Sequence, residues 1–597
     1  MADLKERCRN IVADALNKFA TENGIDSLIS VDSLVVETPP SPDMGDVGIP
    51  MFPFAKIMRK APPIIAQAIV SFVQADKQNA AIGEFFALGP YVNIKLNKAL
   101  GVSATLSQIQ QQAKKYGTLD SDGKAPFAGR RVMVEFSSPN TNKPLHLGHL
   151  RNDALGESVS RILKEVGAEV YKVNIINNRG VHICKSMLAY QKFHQPNNET
   201  PETLGVKTDR FVGDCYVEYD RWSKQDSSAE IQAQELLLRW EQGDEEVRKL
   251  WQTMNDWAIS GIKQTYKRTG VSFDKLYYES DTYLKGKEEI LKGLEEGIFY
   301  REEDGSVWVD LAEIGLDKKV LLRKDGTALY MTQDIGTAIY RHGDWAFNQL
   351  VYVVGSEQQY HFKVLFYVLK KLGYDWANQL YHLSYGMVNL PEGKMKSREG
   401  TVVDADDLIN SLRDGALEEI SAKGREEAVG NPNEVAESVA LGALHYYLLQ
   451  TTPTKDMLFN PKESLSFNGN TGPYLQYMGA RICSILRRAK ENNIPIAKAE
   501  KAAELLSQEA EWELVKILGE YPKAVLKAAQ GLDPSQVATY LYDVAKAFSR
   551  FYHDCPALGI VSENFDLASA RLTLIEATRT VLENGLNLIL VPFLETM

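Results

Sequence analysis

Arg131-Val-Met-Val-Glu-Phe-Ser-Ser-Pro-Asn-Thr-Asn-Lys-Pro-Leu-His-Leu-Gly-His149 is the stretch from which the fold can be read. Its first six residues predict a buried strand, and Pro139, Pro144 and the asparagines between them punctuate a tight connection. Leu147, Leu150, Ala154, Leu155, Val159, Ile162, Leu163 and Val166 then recur at helical spacing, and Ala168 to Ile176 returns as a second apolar strand. A βαβ unit follows, and with it an α/β class. His146-Leu-Gly-His149 falls at the start of the helix, where free backbone N–H groups and the helix dipole stabilise an anion. Two imidazoles three residues apart share one helix face, and Gly148 removes a side chain that would hold a nucleotide away.

A four-residue match can arise by chance, and two histidines can also ligate a metal. The chain contains neither a Cys-x-x-Cys pair nor a His-Glu-x-x-His helix, so no dedicated metal site is expected. A second motif decides the reading. Gly393-Lys-Met-Lys-Ser-Arg-Glu-Gly400 has glycine at both ends, as a loop would, and follows Gly386 and Pro391. Lys394, Lys396 and Arg398 concentrate positive charge suited to a developing pyrophosphate.

The two motifs in this order resemble the HIGH and KMSKS sequences of class I aminoacyl-tRNA synthetases. The finer resemblance is to arginyl-tRNA synthetases of bacterial type. Val134 to Asn152 is similar to that family's extended first motif, and Asp325-Gly-Thr-Ala-Leu-Tyr-Met-Thr-Gln-Asp-Ile335, Gly469-Asn-Thr-Gly-Pro-Tyr-Leu-Gln-Tyr477 and Phe551-Tyr-His-Asp554 resemble later blocks. The likeness runs along nearly the whole chain in the right order. Two departures stand out. Lys394-Met-Lys-Ser-Arg398 lacks the last lysine of KMSKS, a loss that Lys143 just before the first motif compensates in the family. Asn174-Ile-Ile-Asn-Asn-Arg-Gly-Val-His182 replaces the more usual Gly-Asp-Trp-Gly form after the second strand.

The resemblance implies an arginine–tRNA ligase. Arginine and ATP give arginyl-adenylate and pyrophosphate, and the arginyl group then passes to the 3′-terminal ribose of tRNA(Arg). It implies His146, His149, Lys143 and Lys394 as catalytic residues, and His146, His149, Gly148, Met387, Val388, Lys394 and Met395 as ATP contacts. Magnesium would accompany ATP rather than occupy a protein cage. Arginine activation usually waits for tRNA in this family, so the free enzyme is expected to exchange pyrophosphate poorly.

Residue chemistry tests the amino-acid assignment. A guanidinium carries five donors in a planar fork and a permanent charge, so its pocket needs carboxylates and other acceptors. Tyr330 and Asp334, four apart on one predicted helix face, could grip it together. Glu279 matches a third acceptor of the family, and Glu135, Asn140 and Gln358 match positions that hold the α-amino end or complete the pocket. A glutamate site would instead need a cation there. Two rivals stay open: a class I synthetase for another amino acid, and a catalytically silent tRNA-binding relative. Intact His146, His149, Lys143 and Lys394 speak against the second.

Composition accords with this reading. The 597 residues, 44% hydrophobic and 24% charged, suffice for three or four domains. Five scattered cysteines favour reduced thiols in the cytoplasm; Met1-Ala-Asp-Leu-Lys5 lacks the basic-then-apolar pattern of a signal peptide and no apolar run approaches membrane length, so a soluble protein is expected. A monomer is expected. The net charge of −12 gives no general affinity for phosphates, but Arg481, Arg487, Arg488 and Lys490 form a local basic cluster on one predicted helix.

The domains expected from pattern and resemblance are an α+β N-terminal tRNA-contacting domain over 1–115, a Rossmann-like catalytic domain over 125–385, a loop-bearing helical connection over 386–465 and an all-α anticodon-binding bundle over 466–597. A polar, helix-prone segment over about 195–270 reads as an insertion in the catalytic domain, whose strands return at Val307-Trp-Val309 and Gln349 to Val354. Tyr91 and Asn93 could contact the outer corner of tRNA, though strand packing explains them equally well. In the bundle, Asp533-Pro534 reads as a helix start, and Val537, Leu541, Val544, Ala545, Phe548 and Tyr552 follow at helical spacing. Tyr474, Tyr477, Arg481, Tyr540, Tyr542, Phe551 and Tyr552 are the candidate tRNA contacts.

Overall fold

The computed structural model describes residues 1–26, 28–119, 123–391, 403–422, 430–555 and 565–597. Near-continuous apolar runs produce a sheet buried on both faces. Strands β1 (Arg131–Glu135), β2 (Glu169–Ile176), β3 (Lys275–Tyr278), β4 (Gln349–Gly355) and β5 (Leu380–Tyr385) are all parallel, in the spatial order β5-β4-β1-β2-β3. Helix α1 (Leu147–Glu165) makes the β1–β2 crossover with its apolar stripe inward. The strand order reverses between β1 and β4, so α1 begins at the crevice where open α/β sheets bind ligands.

The segment expected as an insertion is the β2–β3 crossover itself. Helices α2 (Val181–Ala189), α3 (Thr208–Ser223) and α4 (Glu245–Thr269), with Ser228–Glu241 between the last two, enclose a separate core around Met187, Phe211, Cys215, Trp240 and Met254. Another expectation is corrected. Val307–Val309 is a strand, but it lies in a small antiparallel sheet with Tyr300–Arg301 and Lys319–Leu322, outside the catalytic sheet. It pairs with its neighbours in sequence on both sides, so no crossover returns it to that sheet. Helix α5 (Tyr330–Asp344) follows and feeds β4.

In the N-terminal domain Gly89, whose φ of 57° makes the turn, joins the strands Gly83–Leu88 and Tyr91–Leu96; Val47–Pro50 completes that antiparallel sheet. This N-terminal unit docks on the C-terminal helices. Asp46 accepts from Trp512 Nε1 at 3.0 Å and Lys516 Nζ at 2.9 Å, and the Tyr116 hydroxyl donates to Leu518 O at 3.1 Å. Helices Gly472–Glu491, Ser535–Asp554 and Phe565–Leu588 form the C-terminal bundle. Asp533 caps the second by accepting from Ser535 N at 3.0 Å.

Candidate active site

The two motif histidines are built into the start of α1. His146 is the N-cap, and its Nδ1 accepts from Gly148 N at 3.1 Å. His149 Nδ1 accepts from His146 N at 3.1 Å, so the two rings satisfy two of the helix's orphan amides. Burial pushes the His146 pKa down to about 4, with Lys143 adding to the effect, and burial, His146 and Lys143 hold His149 well below the ordinary value. Both rings are therefore neutral at physiological pH. Since each Nδ1 is an acceptor, each ring proton is on Nε2, which gives two fixed N–H donors whose ring centroids lie 3.9 Å apart. A Cβ on Gly148 would stand 2.9 Å from His146 Cε1, so the glycine also makes room for the capping ring.

The loop before them is held in an unusual conformation. Ser137 and Ser138 have positive φ of 76° and 49°. Asn152 Oδ1 accepts from Ser137 N at 2.6 Å and Asn174 Oδ1 from Ser138 N at 3.0 Å, while Asn177 Nδ2 donates to Ser138 O at 3.0 Å. Two asparagines of the divergent 174–182 segment thus brace the motif loop. From α1, fully buried Arg151 donates to Met387 O at 3.3 Å, Pro453 O at 3.0 Å and Lys455 O at 2.7 Å. This fixes the chain after β5 relative to the histidines. Val388 is buried and pairs with Met457. Lys394 and Met395 lie outside the described residues.

A cavity of about 500 Å³ opens beside the motif. Asn140 and Lys143 line one part of it, Asn177, Arg179 and His182 another, and Glu279, Tyr330 and Asp334 a third, with Tyr216, Gln333 and Thr337 also in the wall. The helix pair predicted from sequence is thus brought together on α5 with Glu279. Asp334 accepts from His361 Nε2 at 2.6 Å. Arg179 is paired to Glu241 and packs 4.0 Å over Tyr283, so its charge is already answered. Lys143 is half-buried, and burial lowers its pKa.

Two predicted pocket residues are elsewhere. Glu135, at the end of β1, is buried, its carboxylate pairs with buried Arg341, and neither residue lines the cavity. Gln358 is exposed in the turn Ser356–Gln358 and does not line the cavity. The residues that sequence reading missed are Arg151, Asn177, Arg179 and His182. The only signals for them were an arginine within an apolar helix stripe and the polar run after β2.

Burial raises the Glu279 pKa to about 7, against a lowering by Arg179 and a further raising by Asp334. Its folded value exceeds the ordinary 4.5, so the native state holds this proton more tightly, and its contribution to stability falls as pH rises between 4.5 and about 7. A guanidinium would favour the ionised form. The expected result is a Michaelis constant for arginine that falls as pH rises from about 6 to about 8, a slope that Glu279→Gln flattens. A parallel slope in that variant would remove Glu279 from the pocket.

The candidate tRNA contacts divide by helical phase. Tyr540, Leu541, Val544, Phe548 and Phe551 form the buried stripe of Ser535–Asp554. Tyr540 is 8% exposed with its hydroxyl donated to Ile517 O at 2.9 Å, and Phe551 is fully buried, so both are core residues and not RNA contacts. Asn93 is corrected likewise: it is buried, and its amide donates to Met44 O at 2.9 Å. Tyr91 is half-buried, edge-on to Phe52 at 5.9 Å. On the other face, Arg481 lies 4.3 Å over Tyr552 and 5.8 Å from Tyr477, Lys546 lies 4.7 Å over Tyr542, and Tyr474 meets Tyr542 edge-on. Half-buried rings with cations laid on them suit stacking on unpaired bases.

Family models agree with this arrangement. A model described as tRNA synthetases class I (R), catalytic domain, matches residues 108–461, the DALR anticodon binding domain matches 475–597, and the arginyl tRNA synthetase N terminal domain matches 6–96. Arginine–tRNA ligase of Treponema denticola is 59% identical, with 100% of each chain covered, and that of Borrelia hermsii is 44% identical over 100% of this chain and 99% of its own. Arginyl-tRNA synthetase of Thermus thermophilus superposes with a TM-score of 0.76 at 26% identity, covering 99% of this chain and 100% of its own.

Proposed function

The chain belongs to the arginyl-tRNA synthetase family and ligates arginine to tRNA in protein synthesis, and from that premise we propose how its residues divide the work. The observation that carries the proposal is that the Nδ1 atoms of His146 and His149 each accept a backbone N–H at 3.1 Å, which assigns each ring proton to Nε2. Their two Nε2–H groups donate to ATP phosphate oxygens as the arginine carboxylate attacks the α-phosphate. Neutral donors held by backbone amides need no reorganisation as charge moves from the α-phosphate toward the departing pyrophosphate. Lys143 supplies the positive charge on the same side, joined by Lys394 from the second motif.

Asp334, Glu279 and the Tyr330 hydroxyl take the guanidinium, and Asn140 takes the α-amino end. Domain limits near 115, 385 and 465 fit this division, with the C-terminal bundle holding the tRNA. The groups at the helix start are oxyanion donors rather than hard-cation ligands, which fits magnesium arriving on the ATP phosphates. When bound there, magnesium neutralises phosphate charge. Cytoplasmic placement is supported by five buried free thiols, and the working state is proposed as a monomer, which sedimentation tests. Among the described residues, no helix is long and apolar enough to cross a membrane.

The experiment that tests the division measures ATP–pyrophosphate exchange with and without tRNA. Exchange that depends on arginine and tRNA and is slowed by Lys143→Ala is expected; exchange unaffected by Lys143→Ala contradicts it. On the RNA side, Arg481→Ala should raise the Michaelis constant for tRNA roughly 3- to 30-fold and leave that for arginine unchanged. Tyr540→Phe should change neither. A tRNA response to Tyr540→Phe with none to Arg481→Ala would reverse the assignment of faces.

A further inference from the structure

A side-chain cluster in the β2–β3 crossover takes no part in the chemistry above. Helix α3 presents Phe211, Cys215 and Glu218 at i, i+4 and i+7 on one face. His194 faces it from the end of the π-turn Tyr190–His194, a rare helix irregularity that is frequent at functional sites. The imidazole is stacked with Tyr190 at 6.4 Å and edge-on to Phe211 at 5.0 Å, which fixes its plane. Its Nδ1 meets Glu199 Oε2 and its Nε2 meets Glu218 Oε2, each at 2.8 Å. Ligand atoms of His194, Cys215 and Glu218 all lie within 4.8 Å of one another.

We propose that His194 Nε2, Cys215 Sγ and the Glu218 carboxylate bind a divalent transition-metal ion of the zinc type, with Glu199 orienting the histidine from outside. One nitrogen, one sulfur and one oxygen donor make a zinc-like set, with a fourth position left for water. The thiolate and imidazole discriminate against magnesium and calcium, which take oxygen ligands. Glu199 on Nδ1 is the carboxylate–histidine pairing that directs the other nitrogen to a metal. Charge pairing alone accounts for the histidine between two carboxylates. It gives no use to a fully buried thiol within reach of the same point. On binding, the metal takes the place of protons: the thiol loses its proton, and Nε2 gives its lone pair to the ion.

The position of the cluster gives the ion a task. Tyr216, next to Cys215, lines the arginine cavity and shares a 3.0 Å hydrogen bond with His182 Nδ1. Two residues before Cys215, a Cβ on Gly213 would stand 2.6 Å from Pro144 Cδ, so α3 abuts the first motif's loop directly. A metal joining His194 to α3 would fix the helix that supports both.

The full-length protein, stripped with a chelator, is titrated first with Co²⁺ and then with Zn²⁺. One equivalent of Co²⁺ should produce a thiolate-to-cobalt charge-transfer absorption that Zn²⁺ abolishes, and Zn²⁺ should raise the melting temperature. Cys215→Ser should remove the absorption, and both Cys215→Ser and His194→Ala should weaken zinc binding by about 100-fold, with Glu199→Gln costing about 10-fold. The parent measurement needs no variant to fold. No charge-transfer absorption in the parent overturns the proposal, as does an absorption that survives Cys215→Ser.

Discussion

Replacing His146 by asparagine is expected to slow arginyl-adenylate formation by about 10²- to 10³-fold while leaving the melting temperature nearly unchanged. Asparagine is a preferred N-cap, and its Oδ1 can take the Gly148 N–H that His146 Nδ1 now accepts at 3.1 Å. What it lacks is a donor at the place of Nε2–H. His146→Gln should do the opposite, offering a donor farther out while losing the cap, at a cost of about 1 kcal/mol. The pair separates what the ring does for the helix from what it does for phosphate. His149→Ala should lose both and still bind tRNA. A His146→Asn protein with parental rates would remove Nε2 from the reaction, and one destabilised by about 1 kcal/mol, the cost of a lost cap, would remove the cap.

Asp334→Asn is expected to raise the Michaelis constant for arginine roughly 10- to 100-fold and to change that for ATP far less. Asparagine keeps the shape and can still accept from His361 at the present 2.6 Å contact, so the wall of the cavity should stand. The loss is then the charge-assisted bond to the guanidinium, made where Glu279 alone would have to answer its charge. An unchanged value for arginine would take Asp334 out of the pocket. Equal increases for arginine and ATP would mean that the substitution disturbed the site as a whole.

Local pattern carried most of the fold. The helical recurrence from Leu147 to Val166 and the apolar strands on either side placed α1 and its neighbours, because a buried parallel sheet writes itself as near-continuous hydrophobic runs. Tyr330 and Asp334 could be paired in advance because one helix face joins them. Pairings across distant segments left no such mark. Glu135 looked available until Arg341, 206 positions away, was found on its carboxylate, and Arg151 gave no hint that three carbonyls from 387, 453 and 455 would meet it. Phe551 and Tyr552 are neighbours in sequence, yet only the phase of the whole helix tells which of them enters the core. The His194, Cys215 and Glu218 cluster was hidden for the same reason, since its spacing matches no metal motif and a π-turn sets one member.

The measurement that bears most directly on the central claim is charging of unfractionated tRNA by the purified protein with each of the amino acids in turn. A cavity that Glu279 and Asp334 line beside the first motif's loop predicts attachment of arginine alone, lost with Asp334→Asn at low arginine and recovered as arginine is raised. Efficient attachment of glutamate, glutamine or any uncharged amino acid, with arginine left in solution, would contradict it.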